Sequence, residues 1–179
     1  LVLYITPLRA LNNDVLRRII SYAKKRNLDA RIRHGDTTRT AKQKLIQKPP
    51  HILITTPESL GIILTQDKFK SFLKHLRWVI VDEVHELIGN ERGAHLTVSL
   101  ERLQDLSSHN VVRIGLSATI GNLKDAANFI SGRNRKCSIL VDNTIRDYDI
   151  DVKYLNGPIS NVAKFVLKYL KDNKICGPV

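Results

Sequence analysis

Short, nearly continuous apolar runs alternate along this chain with segments whose apolar residues recur at helical spacing, and that alternation leaves few folds open. Residues 1–5, 30–33, 51–55, 78–81, 111–116 and 138–141 read as strands, and 175–179 as the beginning of another. Between them, Val15, Leu16, Ile19, Ile20 and Ala23 mark one helix, with Arg17, Arg18, Lys24 and Lys25 on its other side. Residues 38–47 form a basic helix stopped by Pro49-Pro50, and 59–64 a short one. Leu96, Leu100, Leu103 and Leu106 mark the next, and Asn122 can cap a helix through Ile130 that Gly132 closes. Strands buried on both faces and separated by helices predict an α/β fold, a three-layer parallel sheet. Ligands of such sheets sit beyond the carboxyl ends of the strands.

Four polar clusters follow directly on strands: Thr6-Pro7-Leu8-Arg9, Thr55-Thr56-Pro57-Glu58, Asp82-Glu83-Val84-His85 and Ser117-Ala118-Thr119. Parallel strands would gather all four at one edge. The adjacent carboxylates Asp82 and Glu83 repel one another unless a cation or proton intervenes. They suit a nucleotide hydrolase, the first acid holding Mg²⁺ through water and the second polarising the attacking water. Acids also gather at helix N-termini for dipole reasons alone, so it is the company of the other three clusters that points to a shared site.

Charge narrows the partner. The chain carries a formal +12, and residues 1–50 hold twelve Lys or Arg against three acids, a surplus of nine. A basic surface of this kind favours a polyanion through counterion release. No basic amphipathic segment carries large aromatic residues for insertion, so no membrane partner is expected. No apolar run approaches the roughly 18 residues of a bilayer span, and Cys137 and Cys176 form no metal-like or redox pair, so a cytoplasmic setting is expected.

The ordered set of clusters resembles superfamily 2 helicases, and within them the DExH branch typified by the large helicase-related (Lhr) proteins. Pro7-Leu8-Arg9-Ala10-Leu11 resembles motif Ia, Thr56-Pro57-Glu58-Ser59-Leu60 the next nucleic-acid motif, Asp82 to His85 motif II, and Ser117-Ala118-Thr119 motif III. Gly35-Asp36-Thr37, Glu91-Arg92-Gly93-Ala94-His95-Leu96 and Ser99-Leu100-Glu101-Arg102-Leu103 are most similar to the Lhr type. The resemblance covers nearly the whole chain. It implies a RecA-like, P-loop NTPase lobe acting on Mg-ATP, with Asp82 on Mg²⁺ through water and Glu83 as the base. His85 would link the nucleotide site to the other lobe, and Ser117 and Thr119 would relay nucleotide state. Arg9, Gly35, Thr55 and Thr56 would touch one strand's sugar–phosphate backbone, a role suited to hydroxyls, backbone N–H groups and Arg. DNA is the favoured strand, and kinship with Lhr proteins implies DNA repair.

The sequence also departs from that pattern. It contains no Gly-x-x-x-x-Gly-Lys-Ser/Thr loop and no methionine. The chain is therefore expected to be an internal piece of a longer protein whose P-loop strand precedes Leu1. Residues 1–142 are expected to be the truncated first RecA-like lobe, 143–158 a linker, and 159–179 the start of a second lobe, with an amphipathic helix over Val162, Phe165, Val166, Tyr169 and Leu170. The piece alone is expected to hydrolyse ATP negligibly. Two other readings stand beside a DNA helicase, an RNA-acting DExH helicase and a non-catalytic nucleic-acid-binding module; the intact Asp82-Glu83 pair argues against the second. His85-Glu86-Leu87-Ile88-Gly89 lacks the second His of a zinc protease helix, and Gly115-Leu116-Ser117-Ala118-Thr119 lacks the second Gly of a hydrolase nucleophile elbow.

Overall fold

A computed structural model describes residues 1–118, 121–132, 135–142, 152 and 154–172. The elements are β1 (Val2–Ile5), α1 (Arg9–Lys25), β2 (Ala30–Arg33), α2 (Arg39–Gln47), β3 (Ile52–Thr55), α3 (Pro57–Leu64), α4 (Asp67–Leu73), β4 (Trp78–Val81), a 3₁₀ turn (Val84–Glu86), α5 (Glu91–Leu106), β5 (Val112–Gly115), α6 (Leu123–Ser131) and α7 (Ile159–Asp172). The five strands form one parallel sheet in the order β2-β3-β1-β4-β5.

Right-handed crossovers then dictate which face each helix covers. The β1-to-β2 connection runs one way across the sheet and carries α1, which packs against β2 and β3. The later connections run the other way and place α2 to α5 on the opposite face. There Leu3, Ile5, Leu53, Val79 and Val81 meet Leu45, Leu60, Ile63, Phe69, Leu73, Leu96, Leu100 and Leu103, all buried in one core. Truncating a leucine such as Leu60, fully buried, to alanine costs about 2–5 kcal/mol. On the α1 face, only the β2–β3 half is packed by that helix. Over β4 and β5, Trp78, Val112 and Ile114 stand 42%, 51% and 39% exposed.

Local signals explain most element starts. Thr56 caps α3 by accepting from the Ser59 amide, with Pro57 at the first helical position. Asn90 caps α5 by accepting from Gly93 N–H at 3.0 Å. Asn122 caps α6 by accepting from Lys124 and Asp125, and Gly132, at φ 68°, ends it. Helix α4 had no counterpart in the sequence reading; its Phe69, Phe72 and Leu73 are buried. The strand expected at 138–141 does not form. That stretch has no neighbouring strand, and Leu140 is 96% exposed. The strand expected at 175–179 lies outside the described residues.

Leu1–Leu140 make one compact unit and Val141–Val179 a second. In the second, α7 is amphipathic with no buried residue, and Phe165 and Tyr169 stack along it with centroids 6.3 Å apart. Among the described residues, no helix is long and apolar enough to cross a membrane.

Candidate functional site

All five strands end in register. Ile5 pairs with Thr55 and with Val81, Arg33 with Thr55, and Val81 with Gly115. The polar clusters therefore meet at one edge, as parallel strands require. The ladder runs one residue further at three places: Thr6 N–H donates to Thr55 O, Asp82 N–H to Ile5 O at 2.8 Å, and Leu116 N–H to Val81 O.

Asp82 and Glu83 follow β4, the strand between β1 and β5. Both Asp82 oxygens are held. The Tyr4 hydroxyl donates to Oδ2 at 2.7 Å, and the Glu83 backbone N–H to Oδ1 at 3.0 Å. Burial, then the hydrogen bond to Asp82 and that carboxylate's charge, push the Tyr4 phenol well above its usual range, so it remains a donor. Glu83 occupies the left-handed region at φ 48°, ψ 50°. That backbone costs a non-glycine residue about 1 kcal/mol and marks a position the surroundings over-determine. The turn lets Val84 N–H reach Leu116 O at 3.0 Å, tying the segment after β4 to the segment after β5.

A side-chain bond repeats that tie. His85 Nδ1 lies 2.7 Å from Ser117 Oγ. The same imidazole lies between two carboxylates, with Nδ1 3.4 Å from Glu83 Oε2 and Nε2 3.3 Å from Glu86 Oε1. Glu83, His85, Glu86 and Ala118 line a cleft of about 380 Å³ closed on the other side by Pro7, Leu8 and Leu11. Thr119 lies outside the described residues.

The threonine hydroxyls at this edge are bonded to the backbone. Thr55 is fully buried and its hydroxyl donates to Arg33 O at 2.7 Å. Thr56 is 2% exposed and its hydroxyl caps α3. Each hydroxyl satisfies a backbone group that burial would otherwise orphan. Thr6, also buried, bonds the Leu8 carbonyl at 3.0 Å and the Asn12 side-chain amide at 2.5 Å. Gly35 is exposed in the turn after β2, and Lys42 Nζ donates to its carbonyl at 3.3 Å. Arg9 opens α1 at the same edge.

Two residues that sequence reasoning passed over belong here. Tyr4 sits inside an apolar strand, where nothing in the pattern marks it as a partner of a residue 78 positions on. Arg92, on α5, donates from Nε to Glu58 Oε1 at 2.6 Å and from Nη2 to Pro7 O at 2.5 Å. Burial pushes the Glu58 carboxyl up, but the hydrogen bonds from Arg92, its own backbone and Thr56, with the Arg92 charge, hold it below the usual range. His95 and Arg102 line a groove between α3 and α5, where Arg102 donates to Leu64 O.

The site suits a hydrated divalent ion and a phosphate chain better than an all-protein metal cage. Among the described residues no group of three or more His, Cys, Asp or Glu converges as a metal site. An oriented carboxylate at a strand end matches the one or two protein ligands that Mg²⁺ takes when phosphates and waters complete its shell.

Comparison with known proteins agrees with this geometry. The profile of the DEAD/DEAH box helicase family matches residues 1–126. The ATP-dependent helicase Lhr-Core of Saccharolobus solfataricus is 44% identical over 84% of this chain, and that of Methanocaldococcus jannaschii 41% over 95%. The chain spans only 18% and 22% of those proteins. The structure of Mycobacterium smegmatis helicase Lhr bound to ssDNA and AMP-PNP superposes with a TM-score of 0.80 at 34% identity, covering 96% of this chain and 25% of that one.

Proposed function

Because this chain belongs to the DEAD/DEAH box helicase family, we propose that it is part of the ATP-hydrolysing motor of a longer DNA helicase, one that translocates on and unwinds nucleic acid. The observation that carries the reading is the meeting of Asp82, Glu83 and Ser117 on neighbouring strand ends, joined by the 2.7 Å contact of His85 with Ser117. Residues 1–142 are the ATP-binding lobe, 143–158 the linker, and 159–179 the start of the second RecA-like lobe that partners it.

In this account Asp82 holds the Mg²⁺ of Mg-ATP through water, with Tyr4 and the Glu83 amide keeping both of its oxygens aimed. The ion, when bound there, would supply charge neutralisation on the phosphates. Glu83 takes the proton from the attacking water, and its left-handed backbone sets the carboxylate at the cleft instead of along the strand. His85 and Ser117 carry the state of that site to the segment after β5, and Thr119 extends the relay.

At the other half of the edge, Arg9 and the exposed backbone at Gly35 contact the sugar–phosphate chain. Thr55 and Thr56 contact it as well, at a place fixed by their own bonds to the β2–β3 ends and the start of α3. The +12 charge supports a polyanionic partner, and the Lhr structure superposed above holds ssDNA. The 179 residues contain no Gly-x-x-x-x-Gly-Lys-Ser/Thr loop, the element whose backbone amides and Lys cradle phosphates.

The test is ATP turnover by the full-length parent titrated with single-stranded DNA and with RNA of the same sequence. Greater stimulation by DNA supports the proposal. Greater stimulation by RNA makes it an RNA-acting helicase, and binding without stimulated turnover by either strand makes it a non-catalytic binding module.

A further inference from the structure

Arg92 occupies the second position of α5, immediately after Glu91. A cation there opposes the helix dipole, which favours acids in the first turn. Its position therefore has to be maintained by contacts, and two are present. The guanidinium donates through Nε to Glu58 at the start of α3, and through Nη2 to the carbonyl of Pro7 in the loop after β1. A planar guanidinium offers donors at fixed angles that one ammonium cannot reproduce. The two segments so joined are 51 residues apart in sequence, from Pro7 to Glu58, and follow the adjacent strands β1 and β3.

The other end of Arg92 is anchored to the turn that carries Glu83 and His85. Asn90 Nδ2 donates to Glu86 O at 2.7 Å while its Oδ1 caps Gly93. Gly93 lies so close to that turn that a Cβ would sit 1.8 Å from Leu87 O. The start of α5 is thus held by direct contacts between Glu86 and the guanidinium, and Pro7 itself lines the cleft that holds Glu83 and His85.

We infer that Arg92 is a positioning residue that couples the Asp82–Glu83 turn to the nucleic-acid-facing edge, by clamping the Pro7 loop and the start of α3 to the helix that grows out of that turn. The inference rests on the helicase reading above. A shift of the Glu83–Glu86 turn moves the start of α5, and through Arg92 it moves the loop before Arg9 and the N-terminus of α3 together.

The experiment uses the full-length parent, measuring ATP turnover against single-stranded DNA concentration for wild type, Arg92→Gln, Arg92→Lys, Glu58→Gln and the Arg92→Gln/Glu58→Gln double variant. The DNA concentration for half-maximal stimulation should rise about tenfold in Arg92→Gln, the size of one lost charge-assisted hydrogen bond, with turnover at saturating DNA held within about twofold. Glu58→Gln, altered at a side chain 55% exposed, should move the same parameter in the same direction. The double variant should be no worse than Arg92→Gln alone, and Arg92→Lys should fall between it and wild type. Unchanged half-saturation in both single variants overturns the inference, as does a parallel fall of turnover and melting temperature with half-saturation unmoved. Failure of the helicase reading looks different: wild-type turnover that no strand stimulates, or that Glu83→Gln leaves intact, removes that reading and this inference with it.

Discussion

Replacing Gly93 by alanine sets two effects of opposite sign against each other. Within a helix, glycine to alanine ordinarily stabilises by about 0.5–1 kcal/mol, because glycine loses more backbone freedom on folding. At position 93 the added Cβ would lie 1.8 Å from Leu87 O, 2.8 Å from Leu87 C and 3.2 Å from Phe129 Cε2. Carbon-to-carbonyl-oxygen contacts settle near 3.3 Å, so α5 and the turn after motif II must part by about 1.5 Å. The obstacle is backbone, which cannot swing aside as a side-chain tip can. With backbone as the obstacle, overpacking costs at the upper end of its range, about 3 kcal/mol, which outweighs the helix gain and leaves a net loss of about 2 kcal/mol. Hydrogen exchange followed by mass spectrometry on the full-length parent reads this locally. Amides of residues 90–97 should lose about 30-fold protection, the equivalent of 2 kcal/mol. Gly121→Ala is the control, since a Cβ there meets nothing within 4 Å. Protection in Gly93→Ala equal to or above wild type would refute the claim that α5 is seated on the motif II turn.

Three more expectations follow from named contacts. Tyr4→Phe removes the donor that holds Asp82 Oδ2, so the Mg²⁺ concentration for half-maximal turnover should rise about threefold or more, as for a modest hydrogen bond; an unchanged Mg²⁺ titration contradicts it. His85→Ala and Ser117→Ala should each weaken DNA-stimulated turnover, and their 2.7 Å contact predicts a double-variant coupling of about 0.5–3 kcal/mol, against near zero for independent residues. Glu101 is held below the usual carboxylate range first by its hydrogen bond from Arg113 and then by that residue's charge. Since the folded value is depressed, its contribution is complete above the ordinary glutamate range and is lost as pH falls through the lower folded value. Melting of Glu101→Gln should therefore differ from wild type at pH 7 and converge with it toward pH 3, while a difference independent of pH would contradict the assignment.

The parallel sheet was legible because buried strands announce themselves as apolar runs bounded by breakers, and because polar clusters after Ile5, Thr55, Val81 and Leu116 serve no strand. Their meeting at one edge followed from parallel pairing alone. What the sequence hid was contact over long separation. Nothing about Tyr4 in an apolar run, or Arg92 at a helix start, signals Asp82 or Pro7. Helix α4 escaped because its seven residues span barely two turns, too few for a period to stand out. The apolar run at 138–141 was misread because a strand needs a neighbour as well as a pattern. The bonds of the Thr55 and Thr56 hydroxyls to the backbone were equally invisible, since burial at strand and helix ends leaves no mark in the sequence.

Glu83 as the base of an ATP-driven motor is open to a single substitution, Glu83→Gln in the full-length parent. Single-stranded DNA binding and DNA-stimulated ATP turnover should be measured side by side on the two proteins. Turnover should fall by about 10²-fold or more, the usual share of a positioned general base, with DNA binding retained. Turnover preserved in Glu83→Gln would contradict it, and would place the chemistry elsewhere than the Asp82–Glu83 turn.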